Sequence, residues 1–372
     1  MRTDSIGLYV HVPFCVKKCN YCDFCSYPIE SIGSRDAYIE SLCREIEAYK
    51  GQEIRANTLF FGGGTPSLLT PEQFDKIVRS IKESFTFDKN IEFTVEANPV
   101  TLNCDNLSAY IAGGVNRISI GLQSVHNNEL KILGRIHSYE DFLASYRLVR
   151  DFGINNVNVD IMYGLPEQTV ESFSDTLRTI SALSPEHISV YGLILEEGTP
   201  FYNFKGTLTF PSEDEECDMY YTAASMLREL GYSHYEISNY SKSGYESRHN
   251  LNYWRDGEYL GFGVAAYSYY NGMRFGNCSD INEYLRSDSS VAYSERIDEV
   301  ARRYEYAMLA LRLSEGICLS DYRDKFGIDF LKGREMKISE LERLGYLVVD
   351  VDRLYLTEKG FYVSNLILSE LL

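Results

Sequence analysis

An α/β fold with a parallel sheet is what this sequence predicts, because between Leu8 and about Leu195 six short apolar runs alternate with amphipathic stretches that carry helix-start signals. The runs are Leu8 to Val12, Thr58 to Phe61, Ile91 to Ala97, Arg117 to Leu122, Val157 to Tyr163 and Ile188 to Leu195. The clearest helix opens at Thr70-Pro71-Glu72-Gln73, which supplies an N-cap acceptor, a proline at the first helical position and a Gln that completes a capping box. Phe74, Ile77, Val78 and Ile81 then share one face. Strict strand-helix alternation implies right-handed crossovers, hence a doubly wound sheet or a barrel, and the pattern does not choose between them.

After Leu195 the rhythm breaks. An acidic helix opens at Ser212 and runs through Leu230, and a Tyr- and Gly-rich region from Tyr232 to Asn277 suggests extended structure. A helix from about Glu295 to Leu313 leads into a segment reading helix, helix, a YLVVDVDRLYLT hairpin and a last helix, the order of a winged helix. Such folds often bind DNA, but the mixed charge here favours packing. The expected organisation is a core over 1–200, an extension over 201–313 and a winged-helix-like segment over 314–372.

The chain of 372 residues carries 36 Lys plus Arg against 54 Asp plus Glu, a net charge of −18 that disfavours nonspecific binding to nucleic acid. No apolar run reaches the roughly 18 to 20 residues of a membrane span, and MRTDSIGLYVHVPFC lacks a signal-peptide pattern, so a cytoplasmic protein is expected. Nine cysteines, an odd number, argue against a complete disulfide framework. Four of them, Cys15, Cys19, Cys22 and Cys25, crowd into CVKKCNYCDFC.

Three thiolates at C-x3-C-x2-C directly after a strand can hold three corners of one [4Fe-4S] cube and leave the fourth iron open to a ligand. A zinc site completed by Cys25 or His11 is the alternative, although structural zinc prefers two separated Cys pairs. Gly62, Gly63 and Gly64 follow the second strand, where missing side chains let backbone N–H groups approach a ligand or simply make a tight turn. Glu96, Gln123 and Asp160 sit at or near strand C-terminal ends, where α/β folds gather ligands.

These residues carry a resemblance. CVKKCNYC is similar to the CxxxCxxC signature of radical S-adenosylmethionine (SAM) proteins, and LYVHVPFC with FFGGGTPS resembles the branch that holds oxygen-independent coproporphyrinogen III oxidases and haem chaperones, the HemN/HemW family. The likeness implies that Cys15, Cys19 and Cys22 hold the cluster, that SAM chelates its open iron, and that Tyr9, Tyr21, Gly63, Gly64, Thr65, Glu96, Gln123, Arg135 and Asp160 contact SAM. It also implies a partial (β/α)6 barrel open on one side.

Three features separate the two branches. Phe24 stands where the oxidase type has a further Cys, eight residues precede Tyr9 where an oxidase carries an extension, and Arg248 to Trp254 reads RHNLNYW. The last resembles the HNxxYW motif of the haem chaperones, with His249 as a candidate iron ligand beside the only Trp of the chain. The bland reading of His249 is a hydrogen-bonded core histidine. The reading that follows is a haem-binding chaperone that passes haem to acceptor haemoproteins, with cluster and SAM governing dimerisation or transfer. Radical oxidative decarboxylation of coproporphyrinogen III is the rival, and whether the chain is an enzyme stays open.

Overall fold

Each of the six predicted runs becomes a strand of one parallel sheet: β1 (Ile6–Val12), β2 (Arg55–Gly63), β3 (Thr86–Ala97), β4 (Arg117–Gln123), β5 (Val157–Tyr163) and β6 (His187–Gly192). The computed structural model describes residues 5–204, 206–286 and 290–372. The helix opening at Thr70 is present over Pro71–Ser84, with both halves of the Thr70/Gln73 capping box formed.

Six further strands extend this sheet beyond the predicted core. β7 (Ser233–Glu236) and β8 (Asn239–Ser241) add antiparallel beside β6, while β9 (Tyr259–Phe262) lies parallel to β1 with Leu8 opposite Leu260. β10 (Tyr267–Tyr270), β11 (Met273–Asn277) and β12 (Val291–Arg296) continue antiparallel. The order across all twelve strands is β12-β11-β10-β9-β1-β2-β3-β4-β5-β6-β8-β7.

The strands alternate, and the alternation explains the fold. Leu8, Val10, Phe61, Val95, Ile118, Ile120, Val159, Ile161 and Ile188 are fully buried on the face that packs against helices. The intervening residues are mostly polar: Arg117, Ser119 and Gln123 on β4, Asn158 and Asp160 on β5, and His187 and Ser189 on β6 line a cavity together with Gly121. A doubly wound sheet buries both faces, whereas this one is covered on one face and turns a polar face inward, as a partial barrel does.

The Tyr- and Gly-rich region is not wholly extended. Arg248–Trp254 forms a helix, α1, whose Ser247 N-cap oxygen accepts from the Asn250 N–H. The Glu92 carboxylate on β3 accepts from the Arg248 and His249 N–H groups, both at 3.0 Å, and so fixes the helix start against the sheet. The C-terminal segment has helices Leu319–Phe326 and Glu335–Arg343, a hairpin of Leu347–Val349 and Arg353–Leu356, then Glu358–Tyr362 and Ser364–Leu371. It owns a separate apolar core around Tyr322, Phe330 and Leu354. Among the described residues no helix is long and apolar enough to cross a membrane.

Candidate functional site

The loop after β1 carries the cysteines over the C-terminal ends of the strands. Cys15 is buried, Cys19 and Cys22 are half-buried, and all three line a cavity of about 650 Å3 together with Tyr9, Tyr21, Gly63, Gly64, Thr65, Glu96, Gln123, Arg135, Asp160 and His249. The structure thus brings every candidate residue to one wall or another of a single space. Its volume lies within the roughly 300–1,000 Å3 of small-molecule sites.

Local contacts explain how the cysteine loop is held. His11, buried on β1, uses Nε2 against the Cys25 carbonyl oxygen at 2.8 Å and Nδ1 against the Tyr9 hydroxyl at 3.0 Å. Burial lowers its pKa, so it acts as a neutral tie. The Gly64 N–H donates to the Val12 carbonyl at 2.8 Å, which latches the glycine loop to the end of β1. Arg135 donates to the Cys19 sulfur at 3.6 Å and also to the Gly121 carbonyl, placing a cation against one of the three cysteines. The Thr65 hydroxyl lies 3.8 Å from the Cys15 sulfur. Burial raises the Cys15 and Cys22 thiol pKa values, so loading metal must displace their protons.

The residues fit an iron–sulfur cluster with SAM. Cys25, the fourth cysteine of the run, lines the neighbouring cavity instead and donates to the Ser279 carbonyl at 3.4 Å, which leaves three thiols for this one. Gly63 adopts φ +110°, and a Cβ there would come within 2.6 Å of the His11 ring. Gln123, at φ +82°, is turned at the end of β4 into a conformation that side chains rarely adopt. The Nε of Arg135 is buried without a partner. Such strain and an orphaned donor at one strand end suit a ligand that completes them.

Two half-buried carboxylates line the same cavity. Glu96 accepts from the Gly63 N–H at 3.2 Å, and Asp160 accepts from Asn158 at 2.7 Å and from Ser119 at 3.2 Å. Burial, reinforced by the Asp160 carboxylate, pushes the Glu96 pKa up to about 8. An unfolded Glu titrates near ~4.3, so the folded protein holds the extra proton between those values and loses stability as pH rises through them. Glu96→Gln, a neutral isostere, is expected to flatten that slope in metal-free protein. Urea midpoints taken between about pH 5 and pH 8 check it, and an unchanged slope would count against this assignment.

His249 is placed by three partners. Its Nδ1 lies 2.8 Å from the Thr58 hydroxyl and its Nε2 2.8 Å from the Tyr253 hydroxyl, while its ring stacks on Phe60 at 5.0 Å. It is 1% exposed, and burial lowers its pKa to about 3. Sequence reasoning missed Arg117, which is 2% exposed on the cavity wall with its Nε unpartnered, and missed Asn158 and His187 beside it. The inward positions of RISIGLQ were the signal, since Arg117, Ser119 and Gln123 on one face of a buried strand need a polar space to face.

A parallel sheet closing its polar face under a cysteine-bearing loop is the scaffold of a radical SAM protein, and residues 9–180 match the Radical SAM superfamily while residues 297–363 match the HemN C-terminal domain. The chain is 36% identical over 361 residues to the heme chaperone HemW of Lactococcus lactis subsp. lactis, covering 96% of this chain and 94% of that protein. It is 35% identical over 374 residues to the heme chaperone HemW of Bacillus subtilis, covering 96% of each. This chain belongs to the HemW family. Among solved structures, coproporphyrinogen III oxidase (HemN) from Escherichia coli superposes with a TM-score of 0.87 over 100% of this chain and 91% of that one; at 23% identity the likeness speaks for the fold alone.

Proposed function

We propose that this protein is a cytoplasmic haem chaperone that binds haem at its HNLNYW helix and hands it to acceptor haemoproteins. The observation that carries the reading is that α1, which holds that motif, forms one wall of the cavity lined by the cluster cysteines. Relatives named heme chaperone HemW, similar over the whole chain, support it. Cys15, Cys19 and Cys22 would hold a [4Fe-4S] cluster, and Tyr9, Tyr21, Gly63, Gly64, Thr65, Glu96, Gln123, Arg135 and Asp160 would hold SAM. Such a cluster would supply the electron for reductive cleavage of the SAM held beside it. This chain's own residues line the space and orient what enters it: Glu96 and Asp160 are half-buried hydrogen-bonded carboxylates, and Arg135 places positive charge beside Cys19. Dimerisation or haem transfer would depend on the hold of these residues on cluster and SAM.

The test uses one anaerobically reconstituted preparation. Haem titration by absorbance should saturate for the wild type and weaken by about tenfold or more for His249→Ala, the loss of roughly 1.4 kcal/mol or more of binding free energy. Coproporphyrinogen III should not be decarboxylated in the same preparation. Turnover in step with SAM cleavage would instead make the protein an oxidase.

A further inference from the structure

A second cavity of about 770 Å3 adjoins the first and shares Tyr9, Phe24, Gly63, Glu96 and Tyr253 with it. None of the three cluster cysteines lines it. Trp254, Tyr259, Met308 and Leu309 give it broad apolar and aromatic surface, and Tyr267, 56% exposed, stands among its wall residues where ligand can enter. The Tyr269 hydroxyl also belongs to this wall; it is buried and has no hydrogen-bond partner, so it lacks an acceptor such as a ligand carboxylate.

His249 does not line this cavity, and both of its ring nitrogens are already engaged, with Thr58 and with Tyr253. Tyr253, four residues further along α1 and therefore on the same helix face, lines both cavities. Its ring stands edge-on to Tyr259, with centroids 4.6 Å apart. A tyrosine phenolate is an established kind of axial ligand for haem iron, and a hard anionic oxygen suits the ferric state.

We propose that Tyr253 is the axial ligand through which the second cavity holds ferric haem, with His249 as the positioning residue behind it. The proposal rests on the haem-chaperone reading. As the bond from the phenolic oxygen to iron forms, the hydroxyl proton leaves to water through the cavity mouth, and the iron stays ferric. In its neutral Nε2–H tautomer His249 then donates to the phenolate oxygen while Nδ1 accepts from the Thr58 hydroxyl. The porphyrin faces meet the aromatic and aliphatic walls, and a propionate accepts from the Tyr269 hydroxyl.

Ferric haem titration followed by resonance Raman spectroscopy tests this on the full chain. The wild type should show iron-phenolate vibrations, His249→Ala should keep them at about tenfold weaker affinity, and Tyr253→Phe should lose them. Tyr253→Phe retains the ring, so iron–sulfur reconstitution to wild-type content serves as the folding control. Unchanged vibrations or affinity in Tyr253→Phe would overturn the proposal, as would a wild-type spectrum of histidine-ligated haem that only His249→Ala abolishes. A wild type that binds no haem at all overturns the chaperone reading itself.

Discussion

The triple variant Cys15→Ala, Cys19→Ala, Cys22→Ala is expected to lose all stoichiometric iron and sulfide, with the brown absorbance of the reconstituted protein, while Cys25→Ala keeps them. The contrast follows from where the four thiols face. Cys15, Cys19 and Cys22 line the first cavity, with Arg135 against Cys19 and Thr65 against Cys15. Cys25 points to Ser279 and Tyr27 and lines the second cavity. Cys19 and Cys22 are half-buried and the buried Cys15 loses only its sulfur atom, so truncation leaves little unfilled volume, and the loss of metal should come without general unfolding. Iron and sulfide assays beside a circular dichroism spectrum decide it. Retained iron in the triple variant would sink the assignment of the cluster ligands, and loss of iron in Cys25→Ala would point to a fourth thiol ligand.

How much of this was legible in the sequence depends on the range of the forces concerned. Local signals were read well: the Thr70 capping box, the Ser212 N-cap of the acidic helix and the strand Val157–Tyr163 all stand where short-range chemistry puts them. The sixth strand stops at Gly192, short of Leu195, because its pairing with β5 ends opposite Tyr163. The helix expected from Glu295 begins only at Glu299, since Val291–Arg296 pairs with Met273–Asn277 as an edge strand. That pairing is long-range, and propensity gives way to it. The parallel docking of Tyr259–Phe262 on β1 was likewise invisible, because YLGF has no local sign of the strand it will join. Within the site, the cysteines and glycines were legible as chemistry at fixed spacing, whereas Arg117 and the second cavity arise from strands far apart in sequence.

Gly64→Ala is expected to damage the site more than Gly63→Ala, and the reason lies in what each new methyl group meets. At Gly63 the backbone is left-handed, φ +110°, and the nearest atoms belong to the His11 ring at 2.6 Å. The conformational cost is about 1–3 kcal/mol, and the ring resists moving because Tyr9 and the Cys25 carbonyl hold both its nitrogens. At Gly64 no left-handed backbone is required, but a Cβ would lie 2.7 Å from the Phe14 carbonyl oxygen and 2.9 Å from the Pro13 carbonyl carbon. Those are backbone atoms of the segment that carries Cys15, latched by the hydrogen bond from Gly64 to Val12. Rotating a side chain relieves nothing there, so the glycine loop and the cysteine loop must separate. Overpacking of this kind costs about 1–3 kcal/mol, and here the displacement falls directly on the segment that carries Cys15. Gly64→Ala should therefore lower both reconstituted iron content and SAM affinity, with Gly63→Ala keeping more of each; iron assay and equilibrium dialysis with SAM measure the two. Wild-type iron content and SAM affinity in Gly64→Ala would mean that the close approach of these loops is not what shapes the site.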